Sequence, residues 1–102
     1  MKLGYALREA RLKRFPKNEK KQYEVAKLVG VSGTYLSQVE LGHKEPSYEL
    51  IKSLCTVYKI PPAILLWMAT EDRDVEKKKR EAFESLRGPV DALINYFFNN
   101  EK

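Results

Sequence analysis

The 102-residue chain has a single cysteine, Cys55, and a single histidine, His43. One cysteine cannot form an internal disulfide, which excludes a small secreted domain held together by disulfides. One histidine without a cysteine cluster makes a metal site unexpected. The chain also lacks a glycine-rich phosphate loop and any plausible pairing of nucleophile and base. We therefore expect a protein that is not an enzyme, with no cofactor, no metal ion and no evident small-molecule ligand.

Long apolar runs are also missing. No run approaches the length of a membrane span, and the N-terminus lacks the apolar segment and cleavage site of a signal peptide. The sequence therefore predicts no membrane partner and a cytoplasmic location. With 102 residues, of which 43% are apolar, the chain is long enough for one compact core and a terminal extension. Two independent domains would need a longer chain.

The positive charge is unevenly placed. The whole chain carries a net charge of +5, but residues 1–60 sum to +6 and residues 61–102 sum to −1. Charge concentrated in one part of the chain fits a polyanionic partner such as nucleic acid. A basic surface that only keeps the protein in solution is the alternative, and charge alone does not separate the two.

Helical spacing of apolar residues runs through most of the chain, and no strand pattern survives beside it. Residues 2–14 and 47–58 each carry an apolar stripe of helical period, and a further helix opens at Pro61-Pro62. Asn18 is expected to cap the second helix, and Ser47 is expected to cap the helix that runs to about Tyr58. The sequence thus predicts an all-α domain of five compact helices, followed by one or two more.

The stretch from Gln22 to Gly42 reads as two short helices joined by a tight turn. Gly30 ends the first, because glycine accepts the left-handed conformation of a helix cap, and Ser32 has the oxygen to cap the second. Small and amide side chains on an exposed helix edge suit the edges of bases in a major groove. The residues that face outward on the second helix are Gly33, Thr34, Ser37 and Gln38.

The C-terminal third combines many charges with two apolar stripes. Gly88-Pro89 is expected to end one helix and begin the next. The stripes are too apolar for a free tail. They either cover the chain's own core, form a homodimer interface, or bind a different protein. The residues predicted for such an interface are Trp67, Phe83, Leu86, Leu93, Ile94, Phe97 and Phe98.

Segment 22–66 resembles the helix-turn-helix of the Cro/C1-type (XRE-family) DNA-binding domains. With a first helix that contains Leu3-Gly4 and Leu7-Arg8, the resemblance covers about residues 3–68. It implies a five-helix lambda-repressor-like DNA-binding domain in residues 1–69, and leaves residues 70–102 as a C-terminal helical extension. The matching residues are Gln22-Tyr23-Glu24-Val25-Ala26, Gly30-Val31-Ser32, Tyr35-Leu36-Ser37, Glu40, Gly42 and Pro46-Ser47.

The resemblance also implies a role for individual residues. Helix 32–40 would be the recognition helix, with Gly33, Thr34, Ser37 and Gln38 at the base-contacting positions. Gln38 is the strongest candidate, since its amide can pair with adenine. An exposed glutamine with no such role is the alternative. The residues implied for phosphate contact are Gln22, Tyr35, His43 and Lys44, and those implied for a structural ion pair are Arg11 and Glu40.

The chain departs from the family pattern in its first connector, residues 15–21. This connector is about four residues longer than the family's usual link. It adds Lys17, Lys20 and Lys21, which we interpret either as further phosphate contacts or as solubilising charge.

The function that follows from the resemblance is sequence-specific binding of double-stranded DNA. We expect a transcriptional regulator, a homodimeric repressor that is cytoplasmic and associated with the nucleoid. The alternative is an antitoxin or other interaction protein whose C-terminal helices bind a heterologous partner.

Overall fold

The computed structural model describes residues 1–99 and contains six α-helices, with no strand in that range. The all-α prediction is therefore confirmed. A short 3₁₀ turn, Pro16–Asn18, joins the first two helices, and two more, Asp72–Asp74 and Lys77–Lys79, precede the sixth. The helices are α1 (Leu3–Arg14), α2 (Gln22–Leu28), α3 (Gly33–Glu40), α4 (Tyr48–Tyr58), α5 (Pro62–Ala69) and α6 (Arg80–Asn99).

Helices α1 to α5 share one apolar core. Each contributes side chains that are fully buried, and Leu7, Leu36, Leu54 and Leu65 are among the largest of them. The ends of α3 and α4 are capped as their residues predict. The hydroxyl oxygen of Ser47, for example, accepts a hydrogen bond from the backbone N–H of Leu50 at 3.1 Å. Local capping and shared burial together define these helices.

The closest approach between α1 and α3 depends on Gly4. A Cβ atom at this position would overlap the carbonyl oxygen of Val39 and lie 3.0 Å from that of Glu40. The absence of a side chain therefore lets the first turn of α1 rest directly on the last turn of α3. This contact supports the C-terminal end of α3 from behind.

The prediction that Asn18 caps α2 is wrong. Lys17 and Asn18 form a turn with positive φ values of 59° and 57°, and the helix begins only at Gln22. Glu24 stabilises this start instead, since its Oε1 accepts a hydrogen bond from the backbone N–H of Lys21 at 3.0 Å. The longer connector has moved the helix start away from Asn18, and an acidic residue inside the first turn replaces the predicted cap.

The prediction of a helix break at Gly88-Pro89 is also wrong, because α6 continues through both residues. A proline inside a helix costs about 3 kcal/mol. Phe83, Ile94 and Phe98 lie on one face of α6 on both sides of the proline, and all three are buried. Their burial contributes about 1.5–3 kcal/mol each and outweighs the local cost.

Helix α6 packs against the core, with contacts to α1 and α5. Ile94 and Phe98 join the common core, and the ring of Phe83 lies 5.1 Å from that of Trp67 in α5. The helix starts at Arg80, and the preceding residues form turns where the apolar stripe suggested helix. Covering the chain's own core, one of the three alternatives for the C-terminal third, is therefore what the structure shows for the buried face of α6.

Within residues 1–99, no single helix is both long enough and apolar enough to cross a membrane. Helices α4 and α5 reach that length and apolarity only when taken together, and the chain bends by 104° between them.

Candidate nucleic-acid interface

Helices α2 and α3 form a rigid pair joined by a tight turn. Gly30 has a positive φ of 76°, and the backbone N–H of Val31 donates to the carbonyl oxygen of Ala26 at 3.0 Å. The hydroxyl of Ser32 then accepts a hydrogen bond from the backbone N–H of Tyr35 at 3.0 Å. The sequence predicted both features, the glycine that ends α2 and the serine that caps α3. Together they define the turn between the two helices.

The residues predicted to contact bases lie on α3, on the side away from the buried Leu36 and Val39. Thr34 is exposed, and Ser37 and Gln38 are half-buried. The side chains of these three residues make no hydrogen bond to another group within residues 1–99, so their polar groups are available to a ligand. Gly33, the first residue of α3, has only its backbone to offer.

An ion pair fixes the end of this helix to α1, as expected for Arg11 and Glu40. The Nε and Nη2 atoms of Arg11 donate to the two carboxylate oxygens of Glu40 at 3.0 and 2.9 Å. The side chains are 11% and 2% exposed. Hydrogen bonding to Glu40 raises the pKa of Arg11, so the guanidinium stays charged.

Gln22 belongs to the same polar cluster. Its Nε2 atom donates to Oε1 of Glu40 at 2.9 Å, a contact that the sequence did not predict. An amide nitrogen carries two hydrogens, so one of them remains for the phosphate contact implied for this residue. The hydrogen bond orients the side chain at the start of α2, and it links both helices of the pair to α1.

Tyr58 lies beside this cluster with its ring fully buried. Its hydroxyl makes no hydrogen bond within the part of the chain that the structure describes. Burial raises the pKa of the hydroxyl, and the nearby charge of Glu40 raises it further. The tyrosine is therefore neutral, and its ring packs edge-on against Phe15.

The loop after α3 carries His43 and Lys44, both exposed. The backbone N–H groups of these two residues donate to the carbonyl oxygen of Gln38 at 2.9 and 3.3 Å. The loop is thereby held beside the outward edge of α3. Tyr35, the other residue implied for phosphate contact, is half-buried and packs against the core.

The lysines of the first connector differ in their surroundings. Lys17 and Lys21 are exposed, and neither forms an ion pair with residues 1–99. Nζ of Lys20 instead lies 5.6 Å from the centre of the Phe15 ring, which in turn packs edge-on against Tyr58 at 6.3 Å. The connector is thus anchored through Phe15, and Lys20 is partly engaged within the fold.

The residues predicted for a dimer interface do not share one surface. Phe83, Ile94 and Phe98 are buried inside the chain, while Trp67 and Phe97 are half-buried. Only the other two, Leu86 and Leu93, are largely exposed, at 54% and 60%. The helical period of α6 explains this division, because the two leucines lie on a face next to the buried one.

Sequence analysis gave no role to Tyr23, an exposed residue of α2 that lies next to Gly33. A Cβ atom on Gly33 would be 3.4 Å from the Cβ atom of Tyr23. Which residue of α2 lies beside Gly33 depends on how α2 crosses α3, and so it could not be predicted from spacing.

Within residues 1–99, no three histidine, cysteine or acidic side chains lie together in a way that could hold a metal ion. The polar groups that the interface offers to a ligand are basic, hydroxyl and amide groups.

Comparison with known proteins agrees with this geometry. A helix-turn-helix family model matches residues 7–65. The chain is 44% identical over 48 residues to the transcriptional regulator ClgR from each of two strains of Mycobacterium tuberculosis. The matched segment covers 47% of this chain and 43% of each relative, so it spans less than half the length of these regulators.

Proposed function

The chain belongs to the Cro/C1-type helix-turn-helix family of DNA-binding proteins, and on that premise we propose that it regulates transcription by binding a specific double-stranded sequence. The observation that carries the proposal is the free polar edge of α3, held from behind by the buried pair of Arg11 and Glu40. A rigid helix with unpartnered hydroxyl and amide groups suits the major groove. We assign DNA binding to residues 1–69.

Base reading is assigned to Thr34, Ser37 and Gln38. An amide can donate to N7 or accept from N6 of adenine only when it is not already bonded, and the side chain of Gln38 has no hydrogen-bond partner within residues 1–99. Gly33 contributes a backbone surface. These contacts would specify the sequence, whereas contacts to phosphates would set the register of the protein on the duplex.

Phosphate contact is assigned to groups that flank this edge. The second amide hydrogen of Gln22 points from the start of α2, and His43 and Lys44 flank the other end of α3. Lys17 and Lys21 are free to add contacts on the side of the connector. We expect smaller contributions from Tyr35 and Lys20, because both are engaged within the fold.

The test combines selection from a random DNA pool with fluorescence anisotropy at several salt concentrations. Replacement of Gln38 by alanine should relax the preference at one base pair, at a cost of about 1–3 kcal/mol on the best site. Replacement of Lys44 by alanine should weaken binding to all sequences alike and reduce the salt slope by about one. Binding that is independent of salt, or equal on all sequences, would contradict the proposal.

The partner that we propose for α6 is a second copy of the chain. Leu86 and Leu93 belong to an exposed stripe that continues to Tyr96, which is 65% exposed. The spacing of the stripe alternates between four and three residues, as in a coiled-coil seam. Its five members are Ala82, Leu86, Pro89, Leu93 and Tyr96.

The composition of this stripe suits a two-fold interface. In such an interface each residue lies near its own equivalent, so a charged residue in the seam would meet a like charge. The stripe contains no charged residue, whereas Glu84 and Asp91 lie elsewhere on α6. Two copies would read half-sites about 34–36 Å apart, and we expect the bound dimer to repress by occupying a promoter in the nucleoid.

The oligomeric state is tested by size-exclusion chromatography with light scattering. Leu93→Glu should convert the dimer to a monomer, because it places a charge in the middle of the stripe. Ala92→Glu adds the same charge to an exposed position off the stripe, and this variant should remain dimeric. A monomeric wild-type chain would contradict the homodimer, and would favour the alternative in which α6 binds a different protein, as in an antitoxin.

Repression is tested separately, by transcription in vitro from a promoter that overlaps the selected site. Addition of the protein should lower the transcript level, and a higher level would identify an activator instead.

A further inference from the structure

Gly33 opens the recognition helix without a side chain, and Tyr23 lies beside it. A Cβ atom built on Gly33 would lie 3.4 Å from Cβ and 3.6 Å from Cα of Tyr23. Tyr23 is the second residue of α2 and is 63% exposed. Its ring and hydroxyl make no hydrogen bond, ring contact or cation–π contact within residues 1–99. An exposed and uncommitted aromatic side chain therefore begins next to the first residue of α3.

We propose that Tyr23 takes over the base-reading position that Gly33 leaves empty. The inference rests on the proposed DNA-binding function and adds a specificity-determining residue to it, supplied by α2. An apolar ring suits the methyl group of thymine, the one apolar group that a base pair presents in the major groove. The phenolic hydroxyl has a donor hydrogen for a phosphate oxygen on the same strand.

The contact between the two residues makes each dependent on the other. An alanine at position 33 would just fit, since 3.4 Å is the near edge of ordinary carbon–carbon contact. A longer side chain would extend past the Cβ atom of Tyr23 into the region beside it. The glycine leaves that region to the tyrosine, so that residues of both helices contribute to one base-contacting surface.

A simpler role for Tyr23 is to cover the backbone at the α2–α3 junction. A covering residue would affect stability but would leave the choice of bases unchanged. Base preference, measured apart from stability, therefore separates the two roles.

The experiment selects binding sites from a random duplex pool and measures affinities for the wild-type chain, Tyr23→Phe, Tyr23→Ala and Tyr5→Ala. Tyr5 is an exposed tyrosine of α1 and is the matched control. Tyr23→Ala should lose its preference for thymine at one base pair of the half-site, by about fivefold or more, the lower range for a base contact. Tyr23→Phe should keep that preference and bind all sequences more weakly, because it loses only the phosphate contact. Tyr5→Ala should select the wild-type site.

A reciprocal variant tests the dependence on Gly33. Gly33→Gln should change the preferred base at the same position of the half-site, since it adds a second polar side chain next to Tyr23. Thermal unfolding of each variant confirms that it is folded at the temperature of the binding assay.

The outcomes distinguish a failure of the proposed DNA-binding function from a failure of the role proposed for Tyr23. A wild-type chain that selects no sequence would overturn the proposed function, whatever Tyr23 does. A wild-type chain that selects a site, with Tyr23→Ala selecting the same site at the same relative affinities, would overturn the role of Tyr23 alone. Equal weakening of Tyr23→Ala on every sequence would also overturn base reading, because it would indicate a phosphate contact only.

Discussion

Nη2 of Arg14, near the end of α1, donates a hydrogen bond to the carbonyl oxygen of Phe97 near the end of α6 at 2.9 Å, across 83 positions of sequence. The Nε atom of the same guanidinium donates to the carbonyl oxygen of Tyr58 at 2.8 Å, and the group lies 5.0 Å from the centre of the Phe98 ring. A cation at helix C-termini complements their partial negative charge. One side chain thus joins the ends of α1, α4 and α6.

Replacement of Arg14 by methionine should lower the free energy of unfolding by about 2 kcal/mol, because hydrogen bonds to a charged group are lost while the apolar stem is kept. Chemical denaturation followed by circular dichroism measures the change. Arg8→Met is the matched control, since Arg8 is exposed on the same helix and has no ion-pair or hydrogen-bond partner within residues 1–99. Equal stabilities for the two variants would show that the Arg14 contacts contribute nothing.

Removing only one partner of the Arg11–Glu40 ion pair should lower the free energy of unfolding strongly. Arg11→Met leaves a carboxylate that is 2% exposed without its counter-ion, and we expect a loss of about 3–5 kcal/mol. The double variant Arg11→Met/Glu40→Leu should recover much of this loss, since no buried charge remains. Denaturation of the two single variants and the double variant forms a cycle. Strict additivity of the two single losses would contradict the coupling.

Replacement by alanine should change the stability in opposite directions at two glycines, Gly4 and Gly88. Gly4→Ala places a Cβ atom against the carbonyl oxygen of Val39, so α1 and α3 must separate and the unfolding temperature should fall sharply. Gly88→Ala meets no atom within 4 Å and lies inside α6, so it should stabilise the chain by about 0.5–1 kcal/mol. Thermal unfolding measures both. Because α1 supports α3, Gly4→Ala should also weaken DNA binding, whereas Gly88→Ala should leave it unchanged.

Glu84 should make stability depend on pH. Hydrogen bonding to Asp72 raises the pKa of Glu84 above its ordinary value of 4.5, although Arg87 partly opposes the shift. The folded state therefore binds this proton more tightly than the unfolded state. Its stabilising contribution is fully present below pH 4.5 and is lost as the pH rises through the higher folded pKa.

Glu84→Gln tests this effect, because the amide keeps a donor for Asp72 at every pH. The difference in unfolding free energy, variant minus wild type, should increase as the pH rises above 4.5 and level off above the folded pKa of Glu84. A difference for Glu84→Gln that does not change with pH would show that the two carboxyl groups do not interact.

Sequence patterns were sufficient where the stabilising atoms lie within one turn of the chain. Ser32 and Ser47 cap helices through contacts three residues away, and Gly30 ends α2 through its own backbone conformation. The same reasoning failed at Asn18 and at Gly88-Pro89. There the local preference was outweighed by the length of the connector and by burial of the apolar face of α6.

By itself, then, the sequence determined that the chain is all-helical, which two helices carry the polar edge, and which residues on α3 form it. Only the tertiary structure decided that Gln22 is bonded to Glu40, that Arg14 holds the end of α6, and that Tyr23 lies next to Gly33. The reason is physical. Caps and helical periods depend on neighbours a few residues away, whereas these contacts depend on how whole helices cross.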